Sequence, residues 1–200
     1  MSKLILDSIF FYYPELKVLQ GAFLEVPNRT ITCLVGRNGS GKSTLFKIAA
    51  GQIQADSGIT QIEELRLHKK SKITRFKHLS YLPQKPFLPG SIKVGNLIDK
   101  SFADQDEIIG HVLKKRVKNL STGERRYLEI LLVLSLGREF ILLDEPFTGL
   151  SPILIEKVIE HLHNAKNHGS GILISDHYMR YISEIGESFY LLESGRTQVL

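Results

Sequence analysis

The stretch GRNGSGKST, residues 36–44, decides the fold because it fits the pattern G-x-x-x-x-G-K-[S/T]. It follows the apolar run TITCLVG and precedes a helical pattern, KSTLFKIAAG, that ends at Gly51. Glycines let backbone N–H groups wrap a phosphate, while Lys42 reaches the outer phosphates and the Ser43 hydroxyl ligates Mg²⁺. A buried strand before the loop and a helix after it are the context in which such a loop binds a nucleoside triphosphate. The predicted phosphate-binding residues are Gly36, Arg37, Asn38, Gly39, Ser40, Gly41, Lys42, Ser43 and Thr44.

A second motif, FILLDEP at residues 140–146, places two carboxylates at the end of an apolar strand. A hard cation bound to phosphate needs a carboxylate at such a position, which predicts that Asp144 holds the metal. Adjacent strand residues point to opposite sides, so Glu145 is available for a second task. We predict that Glu145 polarises the attacking water.

Apolar runs and helical patterns alternate along the chain, which predicts an α/β fold with a mainly parallel sheet flanked by helices. TITCLVG, EFILLDEP and GILIS have the continuous apolar character of buried central strands. The expected helices include PILIEKVIEHLHNAKNHG, begun by Pro152 and ended by Gly169, and YMRYISEIG. SFYLLESGRTQVL is an expected hairpin, and the early runs KLILDSIFFYY and GAFLEVP predict an antiparallel β lobe beside the core.

The middle of the chain carries weaker patterns. SGITQIEELRLH and ITRFKHLSYLP are predicted to be strands, and from Ile92 to about Ser135 the pattern becomes helical with a break around residues 119–123. At this break, Ser121 and Glu124 have the S-x-x-E spacing of a capping box. A helix N-terminus with free N–H groups is also an anion site. The spacing alone leaves both interpretations open.

Composition sets bounds on the class of protein. The chain has 200 residues, 42% hydrophobic and 24% charged, which suits one ordinary globular domain. The net charge of +5 permits an acidic surface, a membrane face or nucleic acid as partner and requires none of them. Cys33 is the only cysteine, which excludes an internal disulfide. The N-terminus lacks a signal-peptide pattern, and residues 127–143 contain Glu129, Arg138 and Glu139, so we expect a cytoplasmic chain without a membrane span.

Two stretches are strongly basic, residues 66–77 and residues 114–118. A solvated face explains them, and contact with anionic lipid headgroups or an acidic partner is the alternative. His161 and His163 are two positions apart on a predicted helix and face different ways, which is poor geometry for a metal. We expect both histidines to be solvated and predict no structural metal.

With these motifs in this order, nearly all 200 residues resemble the nucleotide-binding subunit of an ABC transporter. FYYP resembles the family's aromatic loop, with Tyr13 expected to stack on adenine and Tyr12 as its neighbour. Gln84 in YLPQKPFL resembles the Q-loop glutamine, which senses Mg²⁺ and the γ-phosphate and contacts the membrane partner. LSTGE, residues 120–124, resembles the family signature, and His177 in ISDHYMR resembles the switch histidine at the γ-phosphate.

The resemblance implies a single ABC ATP-binding domain over residues 1–200, with a P-loop NTPase core and a reduced helical lobe at about residues 86–135. It implies ATP and Mg²⁺ as cofactors, with Gln84 a further metal ligand beside Ser43 and Asp144. The catalytic residues that it implies are Glu145, His177 and Lys42.

The resemblance also implies an assembly. Two subunits, identical or related, pack head to tail when ATP binds, so that Ser121 and the N–H of Gly123 cover the γ-phosphate held by the other subunit. Transport then needs separate transmembrane permease subunits, which dock near Gln84 and the helical lobe. The expected location is peripheral, on the cytoplasmic face of the membrane, with no nucleic-acid partner.

Three residues depart from the family pattern. Thr122 stands where the family usually has glycine, and a β-branched residue resists positive φ, which predicts weaker binding in trans. Glu124 replaces the common glutamine, and Ser151 takes the place of the D-loop aspartate. LSTGERRYLEI together with SDHYMR is locally similar to ATPases of lipopolysaccharide-export or branched-chain amino-acid systems.

Two alternatives to a transporter subunit stay open. One is a soluble ABC ATPase of DNA repair or translation, although such proteins usually carry two cassettes, long coiled-coil insertions or basic linkers. The other is a nucleotide-dependent regulator that hydrolyses ATP weakly, which Thr122 and Ser151 favour.

Overall fold

The computed structural model describes residues 2–98 and 106–200. Its strands are β1 (Lys3–Tyr13), β2 (Leu16–Pro27), β3 (Ile31–Val35), β4 (Ser57–Ile62), β5 (Leu65–Arg66), β6 (Leu79–Leu82), β7 (Phe140–Asp144), β8 (Gly171–Ser175), β9 (Ser188–Glu193) and β10 (Arg196–Val199). Its α-helices are α1 (Lys42–Ala49), α2 (Lys72–His78), α3 (Glu107–Val112), α4 (Thr122–Ser135), α5 (Pro152–Asn167) and α6 (Met179–Ile185). Short 3₁₀ turns cover Leu67–Lys69, Val94–Asn96 and Val117–Asn119.

A six-stranded sheet forms the centre of the fold, in the order β10-β9-β3-β8-β7-β6. The pairs β9–β3, β3–β8, β8–β7 and β7–β6 are parallel, and only β10 runs antiparallel to its neighbour. Every residue of β3, β7 and β8 is buried. The prediction of a parallel core around these three apolar runs is confirmed.

The first half of the chain supplies a second sheet, with the order β2-β1-β4-β5. All of its pairs are antiparallel, as predicted for the β lobe. A backbone bond from Gln20 N to Gly195 O, 2.7 Å long, ties this sheet to the β9–β10 hairpin of the central one. The lobe is therefore joined to the central sheet at the hairpin whose strand β9 pairs with β3, the strand that leads into the glycine-rich loop.

The core has two parts because the central strands bury side chains on both faces. On β8, Ile172 and Ile174 belong to one apolar cluster and Leu173 to the other, and the same alternation runs along β3 and β7. Helices α4, α5 and α6 cover the first face, while α1 and the antiparallel sheet cover the second. The sheet is thus shielded on both faces, as parallel sheets are.

The expectation that ITRFKHLSYLP is one strand is wrong for its first half. Lys72–His78 is helix α2, and only Leu79–Leu82 joins the sheet, paired with β7. Ser71 Oγ accepts a bond from Thr74 N at 3.2 Å and so caps the helix, while basic residues in the last turn favour a helix C-terminus. These end signals outweigh the β-rich composition of the stretch.

The predicted helical segment from Ile92 to Ser135 is helical only in pieces. Its described residues form a 3₁₀ turn, α3, a second 3₁₀ turn and α4, and residues 99–105 lie outside the described part of the chain. Within residues 2–98 and 106–200, no helix is long and apolar enough to cross a membrane. The same residues contain no cluster of three or more His, Cys, Asp or Glu side chains able to hold a metal.

His161 is not the solvated side chain that the sequence predicted. It is partly buried on α5, with Nε2 3.2 Å from Tyr127 Oη of α4. That hydroxyl donates to Asp106 Oδ2 at 2.5 Å, and Asp106 Oδ1 caps α3 by accepting from Ile109 N at 3.0 Å. Burial lowers the pKa of His161, although the charges of Asp106 and Glu160 oppose this shift. The three side chains connect α3, α4 and α5.

A lowered His161 pKa predicts how stability depends on pH. The unfolded chain binds the proton near the ordinary pKa of about 6.5, whereas the folded chain binds it only at lower pH, so this contribution to stability is present above about pH 6.5 and is lost as the pH falls. His161→Gln should therefore make the free energy of unfolding less steep between pH 7 and 5 in urea titrations. The exposed His111 provides the control His111→Gln. An unchanged slope in His161→Gln would contradict this account.

Candidate nucleotide-binding site

A pocket of about 500 Å³ lies at the carboxyl edge of the parallel sheet. It brings together residues that are far apart in sequence, from β1, the glycine-rich loop, the segment after β6, and the ends of β7 and β8. Its predicted members are Tyr13, Asn38, Gly39, Gly41, Lys42, Ser43, Thr44, Gln84, Glu145 and His177. Arg37 and Ser40 line a neighbouring hollow of about 580 Å³ against the β9–β10 hairpin. Most of the predicted site residues therefore line one pocket.

The glycine-rich loop runs from the end of β3 to the start of α1. Gly41, at the N-terminus of α1, has a left-handed φ of 108°, and no side chain caps the helix there. The first N–H groups of a helix have no partners within the helix, so this end can bind an anion. Lys42 is 6% exposed, and its Nζ donates to Gly36 O at 2.8 Å and Arg37 O at 3.1 Å. The Lys42 ammonium is therefore bonded to two carbonyl groups at the start of the glycine-rich loop.

Buried charges face each other below the loop. Burial lowers the pKa of Lys42, and the carboxylates of Glu145 and Asp144 oppose that shift. Burial raises the pKa of Asp144, and the hydroxyl groups of Ser43 and Ser175 oppose this shift. The side chains of Lys42, Ser43, Asp144 and Glu145 therefore interact electrostatically. Their carboxylate oxygens suit a hard cation.

Asp144 and Glu145 separate for a different reason than the one predicted. Asp144 is the last residue of β7, fully buried, and its Oδ1 accepts from Ser175 Oγ at 3.0 Å. Glu145 is no longer in the strand: its φ is +50°, although its N–H still donates to Ser175 O at 2.8 Å. A left-handed turn, and not strand alternation, aims the two carboxylates apart.

Two side chains from other loops hold the carboxylate of Glu145. Gln84 Nε2 donates to Oε2 at 2.8 Å, and His177 Nε2 lies 2.7 Å from Oε1. Glu145 is 8% exposed, whereas Gln84 and His177 are exposed, so the carboxylate is shielded and its two partners face solvent. The three residues that the sequence selected separately make one hydrogen-bonded group.

Asp176 was missed by the sequence analysis. It is 3% exposed, and its Oδ1 accepts from the N–H groups of His177 and Tyr178 at 2.7 and 3.1 Å. Its Oδ2 accepts from Phe147 N at 2.8 Å, so it fixes the loop after β8 to the loop after β7. A carboxylate at the end of a buried strand, the signal that selected Asp144, would have found it.

The two tyrosines at the end of β1 have different surroundings. Tyr13 lines the pocket, is 52% exposed, and packs edge-on against Phe11 with ring centroids 5.1 Å apart. Tyr12 is not among the lining residues, and its N–H donates to Asp56 Oδ2 at 2.7 Å.

The start of α4 is the capping box that the sequence predicted. Ser121 Oγ accepts from Glu124 N at 3.1 Å, and Glu124 Oε2 accepts from Ser121 N at 2.7 Å. The bond from the Ser121 backbone N–H lowers the pKa of Glu124. Ser121 is exposed, Gly123 lies within reach of the Gly149 backbone, and neither lines the pocket that contains Lys42.

Two of the three departures from the family pattern, Thr122 and Ser151, have unstrained conformations here. Thr122 is the first residue of α4 and does not have positive φ, so the expected strain of a β-branched residue is absent. Its Cγ2 faces Gly149, where an added Cβ would lie 3.3 Å away. Ser151 caps α5, with Oγ accepting from Leu154 N at 3.4 Å.

Comparison with known proteins agrees with this geometry. The family model described as ABC transporter matches residues 19–148. The chain belongs to the ABC transporter family.

The relatives that match this chain over almost its whole length are ATP-binding proteins. The chain is 31% identical to the lipopolysaccharide export system ATP-binding protein LptB of Haemophilus influenzae, covering 98% of this chain and 89% of the relative. The LptB of Escherichia coli is 32% identical over 98% and 88% of the two chains. The uncharacterized ABC transporter ATP-binding protein YhaQ of Bacillus subtilis is 27% identical over 98% and 70%.

Solved structures support the fold. An ATP-binding subunit of an ABC transporter matches with a TM-score of 0.86 at 24% identity, covering 98% of this chain and 90% of the other. A nucleotide-free ATP-binding cassette of an ABC transporter matches with a TM-score of 0.85 at 23% identity, over the same shares. The chain is an ATP-binding, ATP-hydrolysing subunit of an ABC transporter with the P-loop NTPase fold, as the resemblance predicted.

Gly41 offers a test of the loop geometry. A Cβ at this position would lie 3.0 Å from Val18 Cγ1 at a φ of 108°, so Gly41→Ala should distort the loop. We expect the affinity for ATP to fall about tenfold, equivalent to roughly 1.4 kcal/mol. Fluorescent-nucleotide titration measures it. Gly137→Ala is the matched control, because Gly137 also has positive φ but no atom within 4 Å of the added Cβ. Equal affinities in wild type and Gly41→Ala would contradict the prediction.

Proposed function

We propose that this chain hydrolyses ATP with Glu145 as the base that polarises the attacking water. The observation that carries the proposal is the Glu145 carboxylate, held between Gln84 and His177 in the pocket that also contains Lys42. A carboxylate fixed by two polar neighbours keeps the orientation that general-base catalysis needs. His177 then contacts the γ-phosphate and positions the base.

The glycine-rich loop would bind the phosphates. Backbone N–H groups of residues 36–44 and the start of α1 face the bound anion, and Lys42 exchanges its contacts with the loop carbonyls for the outer phosphates. Tyr13 stacks on the adenine, because it is an exposed aromatic side chain that lines the same pocket.

The site fits Mg²⁺ by the chemistry of its donors. The Ser43 hydroxyl opposes the rise in the pKa of Asp144 and so acts on that carboxylate, and Ser43 and Gln84 line the same pocket, so hydroxyl, carboxylate and amide oxygens can converge. We propose Ser43, Asp144 and Gln84 as the residues that hold the ion. When bound, Mg²⁺ neutralises charge on the phosphates during transfer.

Glu145→Gln separates binding from chemistry. It should keep ATP affinity near that of wild type and lower turnover by at least about 100-fold, since an amide cannot take a proton from water. Phosphate release and nucleotide titration measure the two quantities, and a trapped dimer should appear in size-exclusion chromatography with ATP. Glu156→Gln, an exposed carboxylate on α5, is the control. Undiminished turnover in Glu145→Gln would remove Glu145 as the base.

We further propose an ATP-dependent, head-to-tail dimer, of this chain or with a related ATPase. Ser121 and Gly123 lie at an exposed helix start and do not line the pocket of their own chain, which suits contact with the γ-phosphate held by a partner. The capping box and this contact are compatible, since Glu124 occupies the N–H of Ser121 and leaves the hydroxyl at the surface.

Mixed dimers test action in trans. Ser121→Asp keeps an N-cap acceptor but sets a negative charge against the phosphate, and Lys42→Ala removes the phosphate ligand. Each variant alone should hydrolyse ATP slowly, while a mixture forms heterodimers with one intact composite site and higher turnover. Two variants that hydrolyse ATP at the wild-type rate as monomers, or a mixture no faster than the average of its components, would contradict the model.

For the whole assembly, we propose one ABC ATP-binding domain over residues 1–200, peripheral on the cytoplasmic face of the membrane, below separate permease subunits. The permease contact would lie near Gln84 and the helical lobe. Phe87, in the segment that follows Gln84, is a large apolar side chain that is 44% exposed. An exposed apolar side chain at this place suits a protein partner.

A further inference from the structure

Arg126, on the buried face of α4, donates to four backbone carbonyls. Its side chain is 5% exposed. Nη1 donates to Pro83 O at 2.8 Å, and Nη2 donates to Asp144 O and Glu145 O at 2.9 and 3.0 Å. Nε donates to Pro146 O at 3.3 Å. One guanidinium thus holds the residue before Gln84 and the whole turn around Glu145.

Glu129, one turn further along α4, holds the other side of the Q-loop. Its side chain is fully buried, and Oε1 accepts from the N–H groups of Phe87 and Leu88 at 3.0 and 3.2 Å. Arg125 adds a bond from Nε to the same oxygen at 3.3 Å. Glu129 Oε2 lies 3.6 Å from Arg126 Nη1, so the two buried charges are paired.

The turn around Glu145 needs such a partner. A non-glycine residue at φ +50° is in a sparsely populated conformation that persists only where its surroundings impose it. In this turn the N–H of Glu145 is bonded to Ser175 O, and the carbonyls on either side point toward α4. Buried carbonyls require donors, and Arg126 supplies them.

We infer that Arg126, held by Glu129, is a positioning residue for ATP hydrolysis. Through α4 it fixes the segment that carries Gln84 and the turn that carries Glu145 to one rigid element, so that the two side chains meet at 2.8 Å. The inference rests on the proposed role of Glu145. Under this inference, α4 supports Glu145 of its own chain. The exposed start of the same helix makes the proposed contact with the partner subunit.

A purely structural role explains the pair less well. A buried ion pair is costly to desolvate, and apolar residues of similar size are often as stabilising or more so. The planar fork of a guanidinium can serve carbonyls in several directions at once, which an ammonium cannot. The acceptors lie in both segments of the site, the one before Gln84 and the turn around Glu145. Their number and position therefore indicate that the pair positions Glu145.

Arg126→Lys is the decisive variant because it keeps the buried charge beside Glu129 and loses the fork. We expect kcat to fall on the order of 10- to 100-fold, as a misplacement of about 1 Å does, with the KM for ATP unchanged within about threefold. Arg29→Lys is the matched control: its Nη1 donates to a single carbonyl, Asn167 O, at 3.2 Å, far from the pocket. The urea midpoint of each variant is measured alongside.

Glu129 supplies a second pair of variants, which keeps the test decisive if Arg126→Lys does not fold. Glu129→Gln retains an oxygen that can accept from Phe87 and Leu88, whereas Glu129→Ala does not, so kcat should be clearly higher in Glu129→Gln. Equal kcat values in the two Glu129 variants, or in Arg126→Lys and wild type, would overturn the inference. So would losses in kcat that are matched by equal losses in ATP affinity and stability. If Glu145→Gln retains turnover, the assignment of the base fails instead, and that result is read independently of Arg126.

Discussion

The parallel register of β3, β8 and β7 is the constraint on which the site depends. Parallel neighbours bring their carboxyl ends to the same edge of the sheet, so the loops after these strands meet although they are far apart in sequence. The glycine-rich loop follows β3, Glu145 follows β7, and His177 lies just after β8. All residues of these three strands are buried, and a slip by one residue would move each side chain from one core cluster into the other, where the packing does not match.

Beyond the strand ends, hydrogen bonds from polar side chains hold the loops in place. Asp176 accepts bonds from three backbone N–H groups in the loops after β7 and β8, and Arg126 donates to four carbonyls at the end of β7 and in the loops after β6 and β7. In a buried region each such bond satisfies a group whose loss would be costly, so these loops have little freedom. Glu145 gains its fixed orientation from these residues, none of which belongs to the phosphate loop.

The sequence predicted the parallel core, the antiparallel lobe and the residues of the pocket, because each follows from a local signal such as apolar runs, glycine spacing or a carboxylate after a strand. It failed where the deciding contact is distant. Nothing near His161 indicates Tyr127 and Asp106, and Glu129 was noticed only as a charge that breaks an apolar run. Helix α2 was missed for a different reason: its cap at Ser71 is local, but its β-rich composition was given more weight.

Our two proposals give α4 two tasks, one at each surface of its first turns. Its exposed start, with Ser121, does not line the nucleotide pocket of its own chain, while Arg126 on its buried side bonds to the turn that carries Glu145. Thr122 belongs to the first task only: its backbone is helical and its side chain is exposed, so it strains nothing within its own chain. We therefore expect any effect of this departure from the family pattern to arise at the proposed contact with a partner subunit.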